Sequence, residues 1–307
     1  MNQDQLPIKI DVKVDSKDML KFATKLIDTI SSPFRWFAKY KEPVKQAKAD
    51  VEATLIKAKA LDPLSAALGI SKEEAVSLIF RSGEREQYDR INQQNNIEKI
   101  VQTSVTMLPS SVNDLPVEED WVSDFFEQCK NISDKEMQTL WAKILAGEVA
   151  QPGTYSRRVL AFIKTLSRQE ADLITRFCCL LWNNPGFGFM HIRIGSNFDY
   201  LKKYNIEYID LIEMESMGLL RFDTATVFSF EKDEDNPLFF FYHGEPHYLY
   251  TANREGVTNI HVFAMTSLGN CLAPIAGSVR NEEYYLESID TFTKISIHIS
   301  DKPPRTP

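Results

Sequence analysis

A chain of 307 residues, 43% hydrophobic and 25% charged, has enough apolar side chains for a sizeable core and enough length for two domains. Its net charge of -8 is uneven: residues 1–60 carry 12 basic and 8 acidic groups, and 171–307 carry 11 and 18. That acidic C-terminal half opposes broad electrostatic binding to nucleic acid, and four cysteines without a C-x-x-C pair read as buried thiols in a reducing cytosol rather than a disulfide or zinc framework. The opening MNQDQLPIKIDVK lacks the layout of a signal peptide. The longest uncharged run, 256–279, is interrupted by Thr258, Asn259, His261, Asn270 and Pro274, so it reads as strand then helix rather than a membrane span. The expected location is the cytoplasm.

In chain order, residues 1–15 alternate Ile8, Ile10, Val12 and Val14 with polar residues, the pattern of an edge strand or a tail. An amphipathic helix is expected over 18–30, broken by Ser31, Ser32 and Pro33. Phe34, Arg35, Trp36, Phe37, Lys39, Tyr40 and Lys41 then interleave aromatics with cations. That mixture suits a membrane interface, and it equally suits aromatics docked on a helical core with solvated lysines, the favoured reading. A Lys/Ala-rich helix follows over 44–61. A short helix from Pro63 and a second over 73–81, with Ser71 and Glu74 at capping-box spacing, suggest a helix-turn-helix, although Lys72 and Arg81 against Glu73 and Glu74 make a poor DNA-reading surface. A long helix is predicted over 82–108 and another over 118–129, with Trp121, Phe125 and Phe126 inward.

The most informative stretch is 133–166. Ser133 and Glu136 have capping-box spacing, and Met137, Leu140, Trp141, Ile144 and Leu145 form one apolar stripe. Gln151, Pro152 and Gly153 end that helix, and a second runs from about Thr154 to Leu166 with Val159, Leu160 and Ile163 facing the first. Ser167 and Glu170 open a third, with Leu173, Ile174, Phe177, Leu180 and Leu181 as its buried side. After Trp182 the texture changes to strands at 188–194, 227–230, 237–242, 248–250 and 261–265. Helices are expected at 206–220 and 266–276, and 287–300 reads mostly as strand.

The run Met137-Gln138-x-Leu140-Trp141-Ala142-Lys143-Ile144-Leu145-Ala146-Gly147-Glu148, followed by Pro152-Gly153-x-x-Ser156-x-Arg158, resembles the core signature of a bacterial family known only as a domain of unknown function. Asp120-Trp121, Phe125-Phe126 and Asn96-Ile97-x-x-Ile100 fit the same pattern, over roughly 84–177. A looser likeness, to the abortive-infection alpha proteins, rests on the Trp-Ala-x-x-Leu-Ala helix and the helix after it. What that likeness implies is anti-phage defence.

No nucleophile elbow, phosphate loop or dinucleotide fingerprint is present. His243 and His247 lie four apart, but Gly244 and Pro246 between them oppose a helical metal pair. The acidic run 233–235 reads as a solvated loop. The best site candidates are therefore Gln138, Trp141, Lys143, Glu148, Ser156, Arg157 and Arg158; Glu148 and Arg158 could pair across the Pro152-Gly153 turn, a structural role favoured over the alternative of an interaction surface. The expected architecture is α+β: a helical domain over 16–182, a smaller winged-helix-like module over 183–300 and a tail at 301–307. The expected function is non-enzymatic, through a protein partner or self-association, with no catalytic residue, metal or cofactor. The alternatives are a DNA-binding regulator using the second module, or a membrane-active effector using 34–41.

Overall fold

The computed structural model describes residues 65–107, 113–195, 197–222, 226–231, 238–251 and 257–301, with residues 24–26, 28, 29 and 63. The expectations for 1–15, 34–41, 44–61, 233–235 and 302–307 lie outside the described residues. The chain divides into two compact units, Met1–Lys164 and Thr165–Pro307, where the sequence reading draws its boundary near 182.

The first unit is helical. Helix α1, Lys72–Val105, starts on a complete capping box made by Ser71 and Glu74. It is one continuous helix, which corrects the expected break near residue 82. Nothing in the Ser82-Gly83-Glu84 stretch stops a helix, since Gly83 costs only about 1 kcal/mol there and no proline follows. Exposed i,i+4 contacts reinforce it on both sides, Arg81 with Ser77 and Arg90 with Glu86, each at 2.5 Å. The second helix of the expected helix-turn-helix is thus 34 residues long where a short one is expected.

Helices α2 (Glu119–Cys129), α3 (Lys135–Ala150) and α4 (Arg157–Thr165) follow. Asp134, not Ser133, caps α3, because its carboxylate accepts from both the Glu136 and Met137 amides. The core lies where α2, α3 and the C-terminal half of α1 meet. Trp121 stacks on Phe125 at 5.3 Å, Phe125 meets Trp141 edge-on at 5.3 Å, and Ile100, Val101, Ile144 and Leu145 are fully buried.

The second unit is an antiparallel sheet with helices. Helix α5, Arg168–Cys178, has the expected Ser167–Glu170 capping box. Strands β1 (Leu181–Asn184) and β2 (Gly188–Ile192), helix α6 (Tyr208–Ser216), and strands β3 (Leu220–Arg221), β4 (Val227–Glu231), β5 (Leu238–Tyr242), β6 (Glu245–Thr251) and β7 (Val257–Met265) follow. Helices α7 (Ser267–Leu272) and α8 (Glu282–Lys294) precede the last strand, β8 (Ile297–Ser300). The strand order is β3-β7-β2-β1-β5-β6-β8, with β4 also on β7.

Two expectations are corrected here. Leu181 begins a strand, paired with His191, and does not extend α5. Most of 287–300 is helix: Asn281 caps α8, whose buried Tyr284, Ser288 and Phe292 recur every fourth residue. That period is present in the sequence, but Ile289, Phe292, Ile295, Ile297 and Ile299 hide it behind β-forming side chains. Trp182, Phe240, Tyr242, Phe263, Tyr284 and Phe292 are completely buried in this unit.

Helix α7 approaches β3 so closely that a methyl group on Gly269 would overlap the Leu219 carbonyl oxygen, which is backbone and cannot swing away. Gly269→Ala should therefore cost about 1–3 kcal/mol, the usual range for overpacking, read as a lowered urea midpoint with unchanged m-value.

Candidate functional site

The signature residues of the first unit come together as the ties of its two turns. Glu148, 3% exposed, accepts from the Gly153 amide through Oε1 at 2.6 Å and from the Tyr155 amide through Oε2 at 2.8 Å. Burial pushes its carboxyl above the ordinary value, and the amide hydrogen bonds pull the other way. The expected Glu148–Arg158 pair is therefore replaced by carboxylate-to-amide bonds. It is Arg157 that meets acids, with Asp124 at 3.1 Å and Asp120 at 3.2 Å on α2, and Arg158 stays exposed.

Tyr155 completes the tie. Its ring lies against Gly147, where an added Cβ would sit 2.8 Å away, and its carbonyl accepts from the Trp121 indole at 2.6 Å. At the other end of α3, Gln138 donates to the Ile132 carbonyl at 2.8 Å and to Asn96 at 3.3 Å. Asn96 in turn donates to the Lys130 carbonyl at 3.0 Å. Trp141 is fully buried, Lys143 is half-buried with its pKa lowered by burial, and Ser156 opens α4 with its carbonyl accepting the Val159 amide at 2.9 Å.

The opposite half of α1 is different. Val76, Phe80, Tyr88 and Ile91 are 52%, 65%, 67% and 61% exposed, and Phe80 and Ile91 fall on one side of the helix, three turns apart.

In the second unit a cleft of about 480 Å³ opens on one face of the sheet. Its floor is Asn183, Phe189 and Phe241, and its walls and rim include Cys178, His243 and Ser278. Phe189 is placed by its neighbour Gly188, whose φ of +86° and contact with Asn270 leave no room for a side chain, and by its own amide, which donates to Asn270 at 2.6 Å. His243 and Gly244 form the two-residue turn between β5 and β6, both at positive φ. This turn separates the two histidines. His243 Nε2 lies 3.1 Å from the Cys179 carbonyl, whereas His247 is buried on β6 with Nδ1 3.0 Å from Asp301. Among the described residues no group of three or more His, Cys, Asp or Glu is placed to hold a metal ion. Burial pushes the Cys178 thiol up to about 12, so it stays protonated and unreactive at the cleft wall.

A family model described as Protein of unknown function (DUF2806) matches residues 80–288. The chain belongs to this family. No curated protein and no solved structure matches it. The DUF2806 span takes in the signature hairpin and the cleft floor, and it begins at Phe80 on the exposed half of α1. Sequence reasoning passed over Asn183, Phe189, Phe241 and Ser278. Asn183 looked like part of a turn with Pro185 and Gly186, and only the strand pairing of β1 shows otherwise. Among the described residues no helix is long and apolar enough to cross a membrane.

Two outcomes follow from this geometry. Glu148→Ala strips two amides of their acceptor and should cost about 2–4 kcal/mol, read by denaturant unfolding, whereas Arg158→Ala should change stability by less than about 0.5 kcal/mol. In the second unit, burial lowers fully buried His191 to about 3, from an ordinary value of 6.5. The unfolded chain then binds a proton that the folded chain refuses, so stability is fully present above pH 6.5 and is lost as pH falls toward 3, by up to about 1.4 kcal/mol per unit. Urea midpoints at pH 7 and pH 5 should show that loss, and His191→Gln should flatten it.

Proposed function

We propose that this protein is a non-enzymatic contact protein that self-associates through the exposed half of α1 and serves in anti-phage defence of the abortive-infection type. The observation that carries the first part is the set of large apolar side chains, Val76, Phe80, Tyr88 and Ile91, that α1 leaves in solvent while its other half is built into the core. A second copy of this chain is the occupant that the charges favour. Between Phe80 and Ile91 the helix carries Arg81, Arg85 and Arg90 against Glu84, Glu86 and Asp89, three of each sign. Two antiparallel copies therefore meet without net repulsion, in the self-complementary manner of a two-fold interface. A strongly acidic or basic partner finds no matching field there. The likeness of the Trp141–Ala146 helix to the abortive-infection alpha proteins supports the defence role.

The test combines light scattering on the full chain with plaquing efficiency over a phage panel. The expected results are a dimer and protection, both lost in Phe80→Glu/Ile91→Glu with the circular dichroism spectrum unchanged. A monomer whose variant loses protection would move the contact to a different protein. A chain whose mass and protection both ignore the substitution would end the proposal.

A further inference from the structure

The cleft on the sheet of the second unit plays no part in the contact proposed above, and its chemistry is specific enough to name a ligand. We propose that it binds an uncharged purine nucleoside, the base standing on Asn183 between the phenyl groups of Phe189 and Phe241.

The register makes this arrangement. Asn183 is directly opposite Phe189 on β2 and directly opposite Phe241 on β5, so the three side chains form one row across three strands on one face. Two strand spacings put the backbones of the phenylalanines about 10 Å apart, room for a flat ring to stack on one phenyl group and lie beside the other above the asparagine. Rings that stack on a base contribute about 1–3 kcal/mol each by truncation, and they do so for any base. Selectivity falls to the polar groups.

Asn183 offers a donor and an acceptor side by side, the pairing that matches the N6/N7 edge of adenine. Neither its carboxamide nor the Ser278 hydroxyl has a hydrogen-bond partner among the described residues. His243 donates from Nε2 to the Cys179 carbonyl, so in the neutral ring Nδ1 is left as an acceptor at the rim. The lining contains no lysine or arginine among the described residues, so there is no clamp for a phosphate. The ligand is for that reason a nucleoside or base rather than a nucleotide. The volume of about 480 Å³ lies in the range of small-molecule sites. The wall thiol of Cys178, held protonated by burial, leaves the encounter non-covalent.

The experiment is isothermal titration calorimetry of the full chain with adenosine, AMP and uridine in parallel. Saturable one-to-one binding of adenosine, weaker binding of AMP and of uridine, and a loss of about tenfold or more in Asn183→Ala at unchanged melting temperature are the expected results. Phe241→Ala should abolish binding, and if that variant does not fold, Phe189→Leu serves in its place. No saturation with adenosine, equal binding by Asn183→Ala, or AMP binding as tightly as adenosine would each overturn the assignment. Because none of these substitutions lies on α1, failure here leaves the self-association test unaffected.

Discussion

Helix α3 ends in a loop whose Gly153 and Tyr155 amides would have no acceptor if Glu148 did not supply both. An acid in the last turn of a helix is otherwise a poor choice, because the helix dipole disfavours it by about 0.3–1 kcal/mol. Hydrogen bonds to a charged acceptor contribute about 1.5–3 kcal/mol each, so the two amide bonds outweigh the dipole. The same loop then carries Tyr155 onto Gly147 and hands its carbonyl to Trp121. Through Trp121 the tie reaches Phe125 and Trp141, and so the angle between α3 and the helices around it follows from one buried carboxylate.

The second unit is organised by a different constraint, the satisfaction of polar groups inside an aromatic core. Tyr284 both accepts from the Ile192 amide and donates to the Ile192 carbonyl, at 2.8 and 2.9 Å. Tyr242 donates to the Cys179 carbonyl at 2.9 Å, and Trp182 to the Ser288 hydroxyl at 3.2 Å. His191 bridges the Leu180 carbonyl and the Tyr200 hydroxyl, stacked against Tyr284 at 4.9 Å. Each of these groups joins a strand to the helix or loop covering it. The cleft lies beside the β5–β6 turn, on the face of the sheet opposite Trp182 and Tyr242, and Asn183 and Ser278 line it without such a bond among the described residues.

Local signals in which one side chain sets one turn are legible at two of the three expected capping boxes, while at Ser133 the next residue, Asp134, takes the cap. The capping boxes at Ser71 and Ser167 are present as read, and the helix-strand alternation of the second half emerges from its turn residues. Signals that depend on a distant partner were not legible. Glu148 looked ready for Arg158 because opposite charges sit across a turn, but backbone amides at 2.6 and 2.8 Å reach it first. α8 looked like strand because its isoleucines and aromatics favour strands locally, while burial of Tyr284, Ser288 and Phe292 decides for helix. The Phe189–Asn183–Phe241 row could not be read at all, since it exists only once β1 lies between β2 and β5.

The titratable groups of the interior bear on whether this scaffold favours binding or catalysis. A general base or nucleophile works best with a pKa near the operating pH, and environments in active sites are arranged to bring it there. Burial moves Glu148 up and Lys143 down, toward that range, but it moves the following groups of the second unit the other way. The Cys178 thiol rises to about 12, the Tyr200, Tyr242 and Tyr284 hydroxyls rise above their ordinary value, and the His191 imidazole falls to about 3. Each is held neutral across the physiological range and is spent on a structural hydrogen bond or on packing. Large apolar side chains are exposed along α1 in one unit, and an amide and a hydroxyl line the cleft in the other. Surfaces of that kind recognise shape and hydrogen-bonding edges without themselves driving proton transfer.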